Sequence, residues 1–145
     1  MLQRTILFTL LIALLVGCSV APKVEANPRV QALEITTEQE VTIQAAEIAA
    51  EYGDYDEAMR LFKEVLQENP VATDAFVGIG DIYLVKREWN LAEPVFARAA
   101  KLEPRNFDAQ YGHGVSLQMM RRFVEAIRAY HRALTIDPQD MGANL

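Results

Sequence analysis

Residues 70–104 read PVATDAFVGIGDIYLVKREWNLAEPVFARAAKLEP, and this stretch decides the fold of the chain. It begins and ends on a proline, Pro70 and Pro104, which stand 34 residues apart, and Pro138 follows after the same interval. An interval repeated so strictly indicates an array of one structural unit. We therefore expect function to depend on the surfaces of the array and not on a single cleft.

Each unit repeats one order of side chains at helical steps of three and four: an aromatic residue, alanine, a second aromatic residue and a small residue. This order is typical of one buried helix face. The columns are Tyr55, Trp89 and Phe123; Ala58, Ala92 and Ala126; Phe62, Phe96 and Tyr130; and Val65, Ala99 and Ala133. Each unit also has an earlier segment that lacks strand alternation: Val41 to Tyr52, Ala75 to Val85 and Ala109 to Met120. The unit is therefore predicted to be a helix pair, and the fold class to be all-α.

Local signals support the predicted helix boundaries. Proline cannot continue the second helix of a unit and is tolerated at the start of the next helix. Thr37 with Glu40, and Asp54 with Glu57, have the spacing of a capping box. Thr73 is expected just before the first helix of the second unit.

Glycines occur inside the first helices, as the pairs Gly78 with Gly80 and Gly112 with Gly114. Each glycine costs about 1 kcal/mol of helix propensity relative to alanine. Close packing between helices is the expected compensation.

With these columns the chain resembles the tetratricopeptide repeat family, whose 34-residue unit has a small and an aromatic residue in its first helix, then alanine, aromatic, alanine and proline in its second. The middle unit matches through Gly80, Tyr83, Ala92, Phe96, Ala99 and Pro104. The third unit matches through Gly114, Leu117, Ala126, Tyr130, Ala133 and Pro138. The first unit matches less well, with Ala46 and Ala49 where bulkier residues are usual.

The resemblance covers Gln39 to Asp140 and implies an α-solenoid of antiparallel helix pairs. The repeats would occupy residues 39–72, 73–106 and 107–140, and residues 141–145 would begin an incomplete fourth repeat. Pro94 departs from the family pattern because it lies in the second helix of the middle unit. We expect that helix to begin late, near Asn90, or to kink locally.

The start of the chain carries a different signal. Arg4 precedes an apolar run at residues 6–16, which is too short to span a bilayer and is typical of a secretory signal. The sequence at residues 15–18, Leu-Val-Gly-Cys, then resembles a bacterial lipobox, in which the cysteine thiol receives a diacylglyceryl group. We therefore expect residues 1–17 to be a lipoprotein signal peptide and Cys18, the only cysteine, to be lipidated. The alternative is an ordinary signal or an uncleaved anchor with a chance cysteine.

Residues 18–37 contain nine interspersed polar or charged residues and the prolines Pro22 and Pro28, as expected of a flexible tether. Ser19 follows the cysteine at the position where, by resemblance to Gram-negative lipoproteins, an aspartate would favour retention in the inner membrane. We therefore expect an outer-membrane lipoprotein that faces the periplasm. The formal net charge of −6 predicts repulsion from anionic lipid and nucleic acid, so the lipid anchor would hold the protein at the membrane.

No residue pattern predicts catalysis. His113 and His131 have no Cys, Asp or Glu at metal-ligand spacing, which favours packing or surface roles. The Gly-x-Gly pairs do not follow a strand and lack the third glycine of a dinucleotide loop. Asp54, Asp56 and Glu57 lie at a helix start, where they complement the helix dipole. We therefore expect no enzyme, no metal and no cofactor.

The remaining candidate site is the concave face of the first helices, which in this family holds an extended peptide or a partner helix. Helical periodicity places there Ile43, Glu47, Val77, Asp81, Leu84, Tyr111, Val115 and Gln118. Such an apolar and acidic groove favours a protein or peptide with basic or apolar segments. For Val77 and Val115, packing against neighbouring helices is the alternative.

One family ligand is disfavoured by the same residues. Heat-shock co-chaperones of the family clamp a C-terminal carboxylate with lysine and asparagine, whereas the corresponding positions here hold Ile43, Glu47 and Gly78. We therefore do not expect a carboxylate clamp.

Two functional classes stay open. The first is a lipid-anchored periplasmic scaffold, similar to the repeat-bearing outer-membrane lipoproteins that help to assemble secretion or pilus machines. The second is a recruitment module or fragment of a longer enzyme or multidomain protein. The apolar edge near Ile127, Tyr130 and Leu134 has no predicted helix to cover it, so we expect either a longer natural chain or two copies that bury this edge against each other.

Overall fold

The computed structural model describes residues 37–139; the predicted signal peptide, Cys18, the tether before Thr37 and residues 141–145 lie outside this range. Within it the chain forms six α-helices and no strand, which confirms the all-α prediction. The helices are α1 (Thr37–Glu51), α2 (Tyr55–Glu68), α3 (Thr73–Val85), α4 (Trp89–Leu102), α5 (Phe107–Met119) and α6 (Phe123–Ile136). None of these six has both the length and the apolar character that crossing a membrane requires.

The helices stack as three consecutive pairs. α1 packs on α2, α3 on α4, and α5 on α6, while α2 contacts α3 and α4 contacts α5 between units. The first helices also touch one another along the array, α1 with α3 and α3 with α5. The predicted solenoid of helix pairs is therefore confirmed.

The repeated columns of the sequence form the core. Phe62 and Phe96, from the second helices, are 1% and 0% exposed, and burial of each phenylalanine contributes about 1.5–3 kcal/mol. The alanines of the repeat are buried too: Ala58, Ala92, Ala99, Ala126 and Ala133. Small residues are needed there because neighbouring helices approach closely around each aromatic ring.

The helix glycines receive the compensation that was expected. A Cβ on Gly80 would lie 2.6 Å from the Phe96 ring, and one on Gly114 would lie 2.6 Å from the Tyr130 ring. Gly78 faces the Phe62 ring just as closely, and Gly112 faces the Phe96 ring. Each ring therefore fills the space that a missing methyl group leaves, and the buried area offsets the lower helix propensity.

The turns within the three units share one backbone conformation. Gly53, Arg87 and Arg121 stand 34 residues apart and have φ angles of 81°, 59° and 62°. In the second unit the following amide, Glu88 N–H, donates to the Tyr83 carbonyl at 2.8 Å and closes the turn. The left-handed conformation is thus imposed by the turn, whether or not glycine is present.

Helix starts agree with the predicted caps in one case and differ in two. The Asp54 side chain accepts from the Glu57 amide at 3.2 Å, which confirms that cap. Thr37 and Thr73 are instead the first residues of α1 and α3, because the helical conformation begins one residue earlier than predicted. A cap that was not predicted is Asn106, which accepts from the Ala109 amide at 2.9 Å.

Pro94 lies in the second turn of α4. The helix begins at Trp89, at the same repeat position as Tyr55 and Phe123, so it does not begin late. Proline has no N–H and cannot bond to the carbonyl of Asn90, four residues earlier. Both residues are exposed, so that water can reach the carbonyl.

Candidate functional site: an acidic groove

A groove of about 460 Å³ lies along the first two units. α1, α2 and α3 form most of it, and α5 contributes Asp108. Its apolar lining includes Tyr55, Phe62, Val77, Ile82 and Val85. Its charged lining consists of five carboxylates, Glu47, Glu51, Asp74, Asp81 and Asp108, and no basic side chain lines it within the described range.

Helix geometry and the repeat together bring these carboxylates to one surface. Asp74, Val77 and Asp81 recur along α3 at steps of three and four, so they share one helix face. Glu47 stands one 34-residue repeat before Asp81, and Asp108 stands one repeat after Asp74. Because first helices of successive units contact each other, equivalent positions on them line up along the groove.

The groove makes ionisation of its aspartates unfavourable. Removal of water around the Asp81 carboxyl, together with the charge of Asp108, raises its pKa to about 6. The side chain reaches solvent, but the surrounding walls take away much of the water that would stabilise its charge. Desolvation also raises the pKa of Asp74, and the charges of Glu103 and Asp108 add to this effect. A cation placed among these groups would relieve the penalty.

Three of the residues predicted for the groove line this cavity: Glu47, Val77 and Asp81. Ile43 requires a correction, because it is only 7% exposed and belongs to the hydrophobic core with Ala58 and Phe62. In the first unit α1 turns that side chain toward α2 and away from solvent.

The other four predicted residues, Leu84, Tyr111, Val115 and Gln118, lie outside the cavity. Tyr111 is half-buried, since its ring stacks on Phe107 at 5.8 Å and also contacts Tyr130. Gln118 accepts a 2.6 Å hydrogen bond from the Tyr130 hydroxyl. In the third unit Tyr111 and Gln118 are therefore engaged in contacts within α5 and between α5 and α6.

Sequence reasoning missed three of the five carboxylates: Glu51, Asp74 and Asp108. A signal for two of them was present, because Asp74 and Asp108 occupy the same repeat position and Asp74 lies on the same helix face as Asp81. Glu51 also carried a signal, since it lies four residues after the predicted Glu47 on the same face of α1, although the equivalent position in the second unit is Val85.

The histidines lie elsewhere. The Nε2 atom of His113 is 3.3 Å from a Glu93 carboxylate oxygen, and the Arg122 guanidinium is 3.4 Å from the same oxygen. His113 is thus packed between α4 and the start of α6, whereas His131 is exposed. Nowhere between residues 37 and 139 do three His, Cys, Asp or Glu side chains come close enough together to hold a metal ion.

The chain matches models of a known repeat. Two family models, each described as tetratricopeptide repeat, cover residues 49–117 and 108–140. Among curated proteins, it is 28% identical over 110 residues to the probable UDP-N-acetylglucosamine--peptide N-acetylglucosaminyltransferase SPINDLY of Petunia hybrida. The aligned residues make up 76% of this chain and 12% of that protein. The SPINDLY protein of Arabidopsis thaliana is 28% identical over 96 residues, 66% of this chain and 10% of that protein. The chain thus spans 12% or less of the length of these two relatives.

Solved structures agree on the fold. The first TPR of Spaghetti (RPAP3) bound to the HSP90 peptide SRMEEVD has a TM-score of 0.72 at 18% identity, over 78% of this chain and 89% of that one. The Arabidopsis OM64 TPR domain has a TM-score of 0.69 at 20% identity, over 73% and 88%. The MamA RS-1 ArsTM double mutant has a TM-score of 0.65 at 25% identity, over 73% and 60%.

Proposed function

Since residues 49–140 are tetratricopeptide repeats, a module of protein–protein interaction, we propose that the acidic groove binds a basic segment of a partner protein. One observation carries this proposal: five carboxylates surround an apolar surface, and among residues 37–139 no basic side chain lines the cavity with them. A lysine or arginine side chain would supply the missing charge, and its apolar stem would cover Val77 or Ile82. Apolar residues next to it in the partner would fill the remaining space.

Charge also selects against other peptides. The peptide in the RPAP3 structure, SRMEEVD, has three acidic side chains and a single arginine. In the groove of this chain such a peptide would meet five carboxylates, and like charges brought together cost binding energy. We therefore expect discrimination in favour of basic sequences.

The test compares charge-matched variants. A labelled peptide that alternates arginine and leucine, and its counterpart with glutamate in place of arginine, would be titrated with the full chain by fluorescence anisotropy. Asp81→Asn with Asp108→Asn should weaken binding of the basic peptide about tenfold, equivalent to about 1.4 kcal/mol. The control pair Glu57→Gln with Glu64→Gln removes the same charge from α2, outside the groove, where both residues contact Arg60. Equal weakening by both pairs would reduce the effect to overall charge and contradict a groove site.

The proposal extends to location. We place the module at the periplasmic face of an outer membrane as a lipid-anchored scaffold, with assembly of a secretion or pilus machine as its setting. Support comes from the apolar run at residues 6–16, from Cys18 at the end of the lipobox-like residues 15–18, and from Ser19 directly after the cysteine. This region lies outside the described residues, so the support is that of the sequence alone.

Fatty-acid labelling in a Gram-negative host tests the anchor. The wild-type chain should take up a fatty-acid analogue and fractionate with outer membranes, whereas Cys18→Ala should take up none. Ser19→Asp is the matched control: it should keep the label and move the protein to the inner membrane. Label retained on Cys18→Ala would overturn the anchor.

A second candidate function is substrate recruitment within a longer enzyme. It is supported by the similarity to proteins named as transferases, which the chain matches over 12% or less of their length. Intact mass spectrometry of the native protein distinguishes the candidates. A mass far above 16.3 kDa would favour this second function, and a mass reduced by residues 1–17 and increased by acyl chains would favour the scaffold.

A further inference from the structure

The first and last described helices each expose an apolar face. On α1, Val41 and Ile48 are 60% and 54% exposed, and Tyr52, the residue directly after α1, is 86% exposed. On α6, Phe123, Val124 and Ile127 are 56%, 66% and 66% exposed. Large apolar side chains grouped in this way on a surface are typical of an interaction site.

The first and third units differ in the sign of their net charge. α1 contains four glutamates and no lysine or arginine, and residues 37–72 together hold nine acidic and two basic side chains. Residues 107–139 hold four arginines, at positions 121, 122, 128 and 132, against three acidic side chains. The two ends of the described array are therefore complementary in charge as well as apolar.

The array's own junctions show how two such helices meet. Between α2 and α3, Asp56 contacts Lys86 at 3.4 Å. Val124 stands two 34-residue repeats after Asp56, and Tyr52 stands one repeat before Lys86. A junction of the same kind between α6 and the α1 of another copy would therefore bring Val124 against Tyr52.

The junction between α4 and α5 gives a second pair. There Glu93 contacts His113 at 3.3 Å. Ile127 stands one 34-residue repeat after Glu93, and Ala45, which is exposed, stands two repeats before His113. The repeat positions that form polar contacts at the junctions inside the array are thus occupied by apolar residues on α6 and at α1.

We propose that copies of this chain associate head to tail, with α6 of one copy packed against α1 of the next. The contact uses different surfaces on the two partners, so it differs from the pairing of two α6 edges that the sequence suggested. It also leaves an α1 face and an α6 face free at the ends of the dimer, so that further copies can add.

One residue keeps this junction weaker than those inside the array. Gln44 occupies the repeat position of Gly78 and Gly112, where a Cβ would collide with the ring of the preceding second helix. Tyr130 supplies the corresponding ring at the end of the array. Close approach of Tyr130 to α1 of another copy is therefore obstructed, and Gln44→Gly removes the obstruction.

The test uses the full chain with Cys18→Ser, so that introduced cysteines are the only thiols. Tyr52→Cys and Val124→Cys are made as separate proteins, differing in tag size, and treated with a short bis-maleimide cross-linker alone and as a mixture. Tyr52, Val124 and the control position Glu64 are all exposed, so circular dichroism of the three cysteine variants should show an unchanged helical fold. The control mixture pairs Val124→Cys with Glu64→Cys, an exposed position on α2.

Head-to-tail association predicts that only the mixture of Tyr52→Cys and Val124→Cys gives a cross-linked dimer, and that Gln44→Gly in the Tyr52→Cys partner raises the yield. A dimer from Val124→Cys alone would assign the edge to pairing of two α6 helices and overturn the proposal. A mixture that gives no more dimer than the control mixture would also overturn it.

Discussion

A Cβ atom added to Gly112 would lie closer than 3.0 Å to the ring of Phe96. The ring is 0% exposed and is held from the other side by Gly80, so it cannot move aside. In Gly112→Ala, overpacking should lower the free energy of unfolding by about 1–3 kcal/mol. The higher helix propensity of alanine should raise it by about 1 kcal/mol, so we expect no net stabilisation. Urea unfolding measures the difference.

A double-mutant cycle identifies the cause. Phe96→Leu should be more tolerable in the Gly112→Ala background than alone, with a coupling of about 0.5 kcal/mol or more. A stabilised Gly112→Ala protein would show that the ring does have room to shift.

The left-handed turn residues give a prediction of opposite sign. Arg87 and Arg121 are exposed and have φ angles of 59° and 62°, a conformation that costs a residue with a Cβ about 1 kcal/mol or more. Arg87→Gly and Arg121→Gly should each raise the free energy of unfolding by about 0.5–1 kcal/mol. Gly53→Ala, at the equivalent turn, should lower it by a similar amount. Thermal and urea unfolding of the three variants would check this, and a loss of stability in both arginine variants would contradict it.

Asn106 supplies a helix cap, and its side-chain amide also donates to the Glu103 carboxylate at 3.3 Å. Its side chain accepts from the Ala109 amide at 2.9 Å at the start of α5. Asn106→Ala should therefore lower the free energy of unfolding by about 0.5–2 kcal/mol. Asn90→Ala, at an exposed position inside α4, removes the same side chain without a cap and should change stability little. Equal losses in the two variants would argue against capping.

The pKa of Asp81 makes stability depend on pH. Its folded value of about 6 is above the ordinary 3.8, so between these values the folded state binds more protons than the unfolded state. The contribution of Asp81 to the free energy of unfolding should therefore fall as pH rises from about 4 to 6, and Asp81→Asn should remove this contribution from the profile. In the Asp81→Asn protein, Asp74, whose pKa is also raised, would still give the stability profile a smaller slope of the same sign.

Glu57 provides the contrast for this experiment. The hydrogen bond from Arg60 lowers the pKa of Glu57, so its contribution is present above the ordinary value and is lost as pH falls. Glu57→Gln should thus remove a slope of opposite sign, reduced by solvent and salt because the pair is exposed. Denaturant unfolding at pH 4 and pH 7 compares the variants; an unchanged profile in Asp81→Asn would contradict the raised pKa.

The sequence by itself determined the helices and the core. A period of 34 residues and a buried face at steps of three and four are properties of each unit taken alone, so Phe62, Phe96 and the alanine columns could be assigned without coordinates. The Asp54 cap and the close approach to the helix glycines followed for the same reason.

Only the tertiary structure decided which side chains share the groove. A helix period assigns a residue to a face, but whether that face meets water, a neighbouring helix or a groove depends on how units pack. Packing turned Ile43 into the core, placed Tyr111 against Tyr130, and brought Asp108 of the third unit beside the carboxylates of the first two. These contacts join residues far apart in the chain, and their energies come from desolvation and shape between helices, which no single segment of sequence contains.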